Sequence, residues 1–188
     1  MNESEVKALK VIIAGGGTAG HINPGLAIAK YIREKHGNAQ ILFIGTERGL
    51  ETKLVPMEGF ELKLIRVRGF RRKLSLDTLL AVRELVHGIS QARRIIREFK
   101  PDIVIGTGGY VCGPVLFVAS RMKIPTLIHE QNAFPGVTNK ILSRFVDAVA
   151  ISFKESEKYF KAAKKLVYTG NPVRAEVLSA DKQSARRQ

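Results

Sequence analysis

The sequence predicts an α/β fold: a Rossmann-like parallel sheet with helices on both faces. Two observations carry this. Short apolar runs of strand type alternate with longer helical stretches along the 188 residues, the pattern that strand–helix units give when they stack into a parallel sheet. The polar and glycine-rich motifs also fall just after strands. That places them together at the carboxyl edge of the sheet, where such folds bind ligands.

In chain order, strands are expected at about 11–14, 40–44, 62–67, 103–106, 125–128 and 147–151, with a short one at 166–169. Helices are expected at about 24–36, 48–57, 76–99, 114–122, 136–145 and 154–163. Val11-Ile12-Ile13-Ala14 is an apolar run that stops at Gly15-Gly16-Gly17. Asn23 is a good N-cap and Pro24 suits a first helical position, so the first helix is expected to open there. Ile41-Leu42-Phe43-Ile44 closes on Gly45-Thr46, with Glu47 just beyond. Leu76, Leu79, Leu80, Val82 and Val86 recur at helical spacing in the long stretch 76–99. Ile103-Val104-Ile105 runs into Gly106-Thr107-Gly108-Gly109-Tyr110, and Gly113-Pro114 opens the next helix. Pro125-Thr126-Leu127-Ile128 leads into His129-Glu130-Gln131-Asn132. Gly170-Asn171-Pro172-Val173-Arg174 reads as a turn or linker, and 175–188 as the opening of another helical element. We expect one domain over 1–163. Residues 164–188 are read as a linker and the start of a second domain, so the chain looks like an amino-terminal half.

The apolar fraction of 45% is enough to fill a core, whereas the net charge of +14 and pI near 10.2 are unusual. Such a balance points to phosphorylated ligands, an anionic membrane surface or nucleic acid. Cys112 is the single cysteine, which excludes an internal disulfide and suits a reducing cytoplasm. The polar start Met-Asn-Glu-Ser-Glu-Val-Lys and the short run after it make neither a signal peptide nor a spanning helix. Any membrane contact is therefore expected to be peripheral.

Four constellations carry chemistry. In the first, Gly15, Gly16, Gly17 and Gly20 allow a bare loop before a helix N-terminus, a place that favours an anion such as a diphosphate. His21 adds a group that exchanges protons near neutral pH. The spacing also satisfies G-x-G-x-x-G. A dinucleotide site, however, opens its helix inside that fingerprint and closes the second strand on an acid. A tight turn without ligand is the plain alternative. In the second, the glycines around Gly109 are expected to form, with the first loop, a wide groove with little side-chain bulk. Alternatively they only relieve crowding where the two loops meet. Tyr110 is a substrate contact or a cover for the sheet edge.

In the third, four consecutive polar side chains at a strand end are poor packing material and good ligand-reading material. Gln131 and Asn132 can donate and accept, which suits a sugar or a base edge. Glu130 could orient His21 or act as a base, and His129 is a ligand or a satisfied core histidine. Thr138-Asn139-Lys140 starts a helix that could reach the same groove. In the fourth, residues 61–100 hold eleven cations against four anions. Arg68, Phe70, Arg71, Arg72, Lys73, Leu76, Leu79 and Leu80 mix basic with apolar groups, a composition that can enter a headgroup layer. A solvated basic face over a core helix is the alternative. Nucleic acid is set aside because no recognition motif accompanies the charge. There is no D-x-D pair for a metal-bridged diphosphate, no G-x-S-x-G elbow and no P-loop. A nucleotide-sugar epimerase or dehydrogenase needs an acid closing the second strand and a Y-x-x-x-K pair, and is set aside on both counts.

Taken in order, these motifs resemble the MurG family: the glycine loop with His21, Gly108-Gly109-Tyr110, His-Glu-Gln-Asn with Thr-Asn-Lys, and Gly-Asn-Pro-Val-Arg. The resemblance spans nearly all of 11–174. Ala19 departs from the family's usual glycine. The resemblance implies one half of a two-domain GT-B glycosyltransferase, inverting and without metal or other cofactor. Such an enzyme moves N-acetylglucosamine from UDP-N-acetylglucosamine to lipid I, giving lipid II for peptidoglycan. It implies donor contacts from Thr18, Ala19, Gly20, Asn132 and Arg174. Acceptor contacts are implied from Gly16, Gly109, Tyr110, Gln131 and Asn139. His21 is the expected base, with Glu130 the runner-up. The basic–apolar segment would dock on the cytoplasmic face of the bacterial cell membrane. The donor-binding carboxyl-terminal domain would be the partner of this acceptor-binding one, without which the chain is expected to be inactive. A non-catalytic, membrane-recruiting, acceptor-binding subunit of a split glycosyltransferase is the alternative.

Overall fold

A computed structural model describes residues 7–69 and 76–173, with 76–80 described by backbone alone. Seven strands form one wholly parallel sheet: β1 (Lys10–Gly15), β2 (Gln40–Gly45), β3 (Glu61–Leu64), β4 (Ile103–Gly108), β5 (Thr126–Glu130), β6 (Ala148–Ile151) and β7 (Leu166–Tyr168). Their order is β3-β2-β1-β4-β5-β6-β7, so the direction of winding reverses between β1 and β4. The helices are α1 (Ala19–Lys35), α2 (Glu51–Met57), α3 (Leu76–Phe99), α4 (Cys112–Arg121) and α5 (Val137–Leu142).

Alternation along β1 divides the core in two. Val11 and Ile13 join Ile22, Leu26, Phe43 and Val55 on the face covered by α1 and α2. Ile12 and Ala14 join Ile96, Val115, Leu116 and Leu142 on the face covered by α3, α4 and α5. Side chains of successive strand residues point to opposite faces, and both faces here are apolar. Fully burying an Ile of this kind is worth about 1.5–3 kcal/mol, so both faces hold the sheet firmly.

Several boundaries differ from the sequence reading. α1 opens at Ala19, with Thr18 as an extended N-cap, and Pro24 sits inside it. A proline there removes one hydrogen bond, to the carbonyl of Gly20 four residues back, and Gly20 is exposed so that its carbonyl stays solvated. Thr107 and Gly108 belong to β4, and His129 and Glu130 to β5. Residues 154–159 form a 3₁₀ turn where an α-helix was expected. β7 pairs with β6, so the sheet runs past the boundary expected at residue 163.

Candidate functional site

The carboxyl ends of β1, β4 and β5 lie side by side and carry the motifs. The loop after β1 and the end of β4 close on each other: the Gly16 N–H donates to the Gly108 carbonyl at 3.3 Å. A Cβ at Gly109, where φ is +86°, would stand 2.4 Å from the Gly16 oxygen. The wide groove expected between the loops is therefore replaced by direct backbone contact. Cys112 fixes the same corner from below. Its Sγ lies 3.1 Å from Ala14 O, Gly108 O and Gly108 N, and burial pushes the thiol up to about 12, out of nucleophilic range.

Sequence reasoning missed Glu51. Its side chain, 0% exposed, heads α2 and points back under the glycine loop. Oε2 accepts the Gly17 N–H at 2.9 Å, and Oε1 accepts the Thr46 N–H at 2.7 Å and the Thr46 hydroxyl at 2.8 Å. A Cβ at Gly16, Gly45 or Gly49 would come within 2.4 Å of this side chain, so the three glycines form its cradle. The signal was present as Gly45-Thr46-x-x-Gly49-x-Glu51, small residues spaced ahead of an acid. One consequence corrects the expected diphosphate cradle. The N–H groups of Gly16 and Gly17 are both taken internally. Ala19 and Gly20, in the first turn of α1, are the loop donors without partners inside the helix.

Glu130 is 1% exposed and accepts from four donors: Asn132 N–H and Nδ2 at 3.0 Å each, Gly136 N–H at 3.3 Å, and Asn139 Nδ2 at 2.9 Å. It ties β5 to the start of α5 and aims Asn132, which is itself exposed. Asn139, expected in the groove, lies buried beneath it with Oδ1 unpartnered. Gln131 also turns inward, Oε1 lying 3.4 Å from His21 Nδ1 and Nε2 3.0 Å from His129 Nδ1. His129 is a satisfied core histidine. Its Nε2 meets the Gly170 carbonyl at 3.0 Å, and burial pushes its pKa below the ordinary histidine value. Half-buried His21 occupies the third position of α1, with Gly108 against its ring. Tyr110, 62% exposed, stands over Gly69.

Thr18 is exposed and Ala19 half-buried at the mouth of α1. Arg68 pairs with Glu84 of α3 at 3.2 Å. Phe70, Arg71, Arg72, Lys73 and Arg174 lie outside the described residues, and Leu76, Leu79 and Leu80 are placed only as helical positions. One ground for setting aside dehydrogenase chemistry falls, because Tyr31 and Lys35 do have Y-x-x-x-K spacing. They lie in the carboxyl-terminal half of α1, away from the glycine loop, with Lys35 Nζ 5.7 Å from the Tyr31 ring centre. The early start of α1 likewise removes one argument against a dinucleotide. The missing acid at the end of β2 still stands, since Glu51 faces the loop interior.

A doubly wound parallel sheet with its polar groups gathered at the β1–β4 switch point defines a Rossmann-like α/β domain of the kind that binds ligands at that edge. Residues 11–151 match the glycosyltransferase family 28 N-terminal domain, and the chain belongs to that family. It is 71% identical over 179 residues to the UDP-N-acetylglucosamine–N-acetylmuramyl-(pentapeptide) pyrophosphoryl-undecaprenol N-acetylglucosamine transferase of Acetivibrio thermocellus, covering 95% of this chain and 48% of that protein. The protein of the same name in Clostridioides difficile is 56% identical over 181 residues, covering 95% and 44%. The crystal structure of Acinetobacter baumannii MurG superposes with a TM-score of 0.72 at 36% identity, over 87% of this chain and 46% of that one. The chain thus spans about half the length of the curated relatives it matches. UDP-GlcNAc 2-epimerase from Neisseria meningitidis, bound to UDP-GlcNAc, shares the fold with a TM-score of 0.63 at 16% identity, over 87% and 46%.

Proposed function

We propose that this chain supplies the acceptor-binding half of an inverting, metal-independent transferase that moves N-acetylglucosamine from UDP-N-acetylglucosamine to lipid I. The carrying observation is His21, held in the first turn of α1 at the switch point with one ring nitrogen already engaged by Gln131. The other nitrogen takes the proton of the acceptor hydroxyl. The hydroxyl oxygen bonds to the anomeric carbon from the face opposite UDP, and the bond to UDP breaks with its electron pair leaving on the phosphate. A positioned base of this kind is worth ~10²–10⁴ in rate.

The Ala19 and Gly20 N–H groups, with Thr18, Asn132 and Arg174, meet the donor. The positive end of the α1 dipole favours its diphosphate. Gly109 and Tyr110 meet the acceptor. Gly16, Gln131 and Asn139 support these contacts from the interior, and Glu130 positions Asn132 while His21 acts as base. A second, donor-binding domain after the linker completes the cleft. The basic–apolar segment from Arg68 through Leu80 contacts the cytoplasmic leaflet. Exposed Phe134, Val137 and Ile141 around α5, beside Lys140, form a second surface of basic–apolar composition that suits a headgroup layer. Among the described residues, no helix is long and apolar enough to cross a membrane.

The test is binding of a soluble lipid I analogue to this chain, with and without anionic vesicles, and transfer by this chain joined to the carboxyl-terminal half of the Acetivibrio thermocellus relative. Binding is expected to rise with vesicles and to weaken in Tyr110→Ala. His21→Ala is expected to lower transfer ~10²–10⁴-fold while analogue binding persists. Unchanged transfer in His21→Ala removes the base assignment.

A further inference from the structure

We propose that Gln131 is a positioning residue that fixes the tautomer of His21, keeping the proton on Nδ1 and leaving Nε2 as the nitrogen that accepts. The inference rests on His21 being the base, and follows from a chain of groups whose donor and acceptor roles are each forced. The Gly170 carbonyl can only accept, so His129 Nε2, 3.0 Å away, carries that ring's proton and Nδ1 is its lone pair. Gln131 Nε2 lies 3.0 Å from that lone pair and 3.0 Å from the His129 carbonyl oxygen. Two acceptors at one end of the amide place its NH₂ there and turn Oε1 the other way.

Oε1 faces His21 Nδ1 at 3.4 Å and can only accept, so Nδ1 donates. In a neutral imidazole the lone pair is then on Nε2. The amide has little freedom to reverse, since Gln131 is 8% exposed and a flip would set its oxygen against both the His129 lone pair and the His129 carbonyl. Burial disfavours the charged form of His129, which favours the acceptor at Nδ1. Among the described residues, the other buried ionisable groups at this end of the sheet are committed elsewhere. Glu130 holds Asn132, Gly136 and Asn139, Glu51 holds Gly17 and Thr46, and Cys112 lies against Gly108. The far anchor of the relay is Gly170, in the segment that follows β7. The base is therefore tied to the linker through two side chains.

Long-range proton–nitrogen NMR of the imidazoles in this chain, labelled with ¹⁵N, reads the tautomers without turnover. His21 is expected as the Nδ1–H form and His129 as the Nε2–H form. In Gln131→Ala the Nδ1–H signature of His21 is expected to be lost. In Gln131→Met, which keeps the reach of the side chain but carries no amide oxygen, the same loss is expected. Backbone amide spectra report folding of both variants. An Nε2–H form of His21 in the parent chain, or an unchanged tautomer in folded Gln131→Ala, overturns the proposal. Should Gln131→Ala not fold, an unchanged His21 tautomer in folded Gln131→Met overturns it. The joined enzyme separates the two readings. Full transfer by His21→Ala there, with the expected tautomer in the parent, removes the base assignment and leaves the positioning role intact.

Discussion

Glu51 and Glu130 are both buried carboxylates under the same site, and they are held in opposite ways. Glu130 is gripped by side chains and turns of its own segment, Asn132, Gly136 and Asn139, within nine positions of it. Glu51 reaches across the fold to Gly17, and what makes room for it is the absence of side chains at Gly16, Gly45 and Gly49. One carboxylate organises polar side chains, and the other organises bare backbone. A buried acid can thus be stabilised by what surrounds it or by what has been removed around it.

The difference can be broken from either side. Glu130→Leu removes the acceptor of four donors at once, the buried Asn139 amide among them, and we expect it to lower unfolding free energy by about 2–3 kcal/mol in denaturant titration. Gly49→Ala leaves every hydrogen-bonding group in place but sets a Cβ 1.8 Å from Glu51 Oε2, so the carboxylate must move. A loss of about 2 kcal/mol is expected. In the double variant with Glu51→Ala the two losses should fall short of adding, because both act on one contact. Additive losses would mean that the cradle is not a unit.

The smallest effect concerns pH. His129 has a folded pKa below its unfolded value, so between the two the unfolded chain binds more protons. Stability from this group is full above the ordinary value near 6.5 and declines as pH falls below it. Thermal melts should show that decline flattened in His129→Gln, with Glu130 and its donors unaffected.

Much of this architecture was legible because apolar runs alternate with helical stretches, and both faces of β1 are apolar. That the polar run 129–132 bonds within itself or to a ligand was legible for a related reason: no core accepts four such side chains otherwise. Which of them face inward was not legible, since Gln131 and Asn139 are turned by partners 110 and nine positions away. The start of α1 was misplaced because Pro24 looks like a first-turn residue, although the helix tolerates it five positions on from Ala19. Glu51 was hidden for the opposite reason to Glu130. An acid at a helix start is ordinary on composition, and only its distance from Gly17 gives it meaning.

The closed contact between the glycine loop and the end of β4 decides where this surface can vary. Gly16, Gly45, Gly49, Gly108 and Gly109 each have a neighbour within 2.4 Å of where a side chain would begin. A library built at these positions would mostly sample destabilised chains. Thr18, Tyr110 and Asn132 are exposed on the same rim. Variation of this surface belongs to those three, above a floor whose close contacts leave it no room to change.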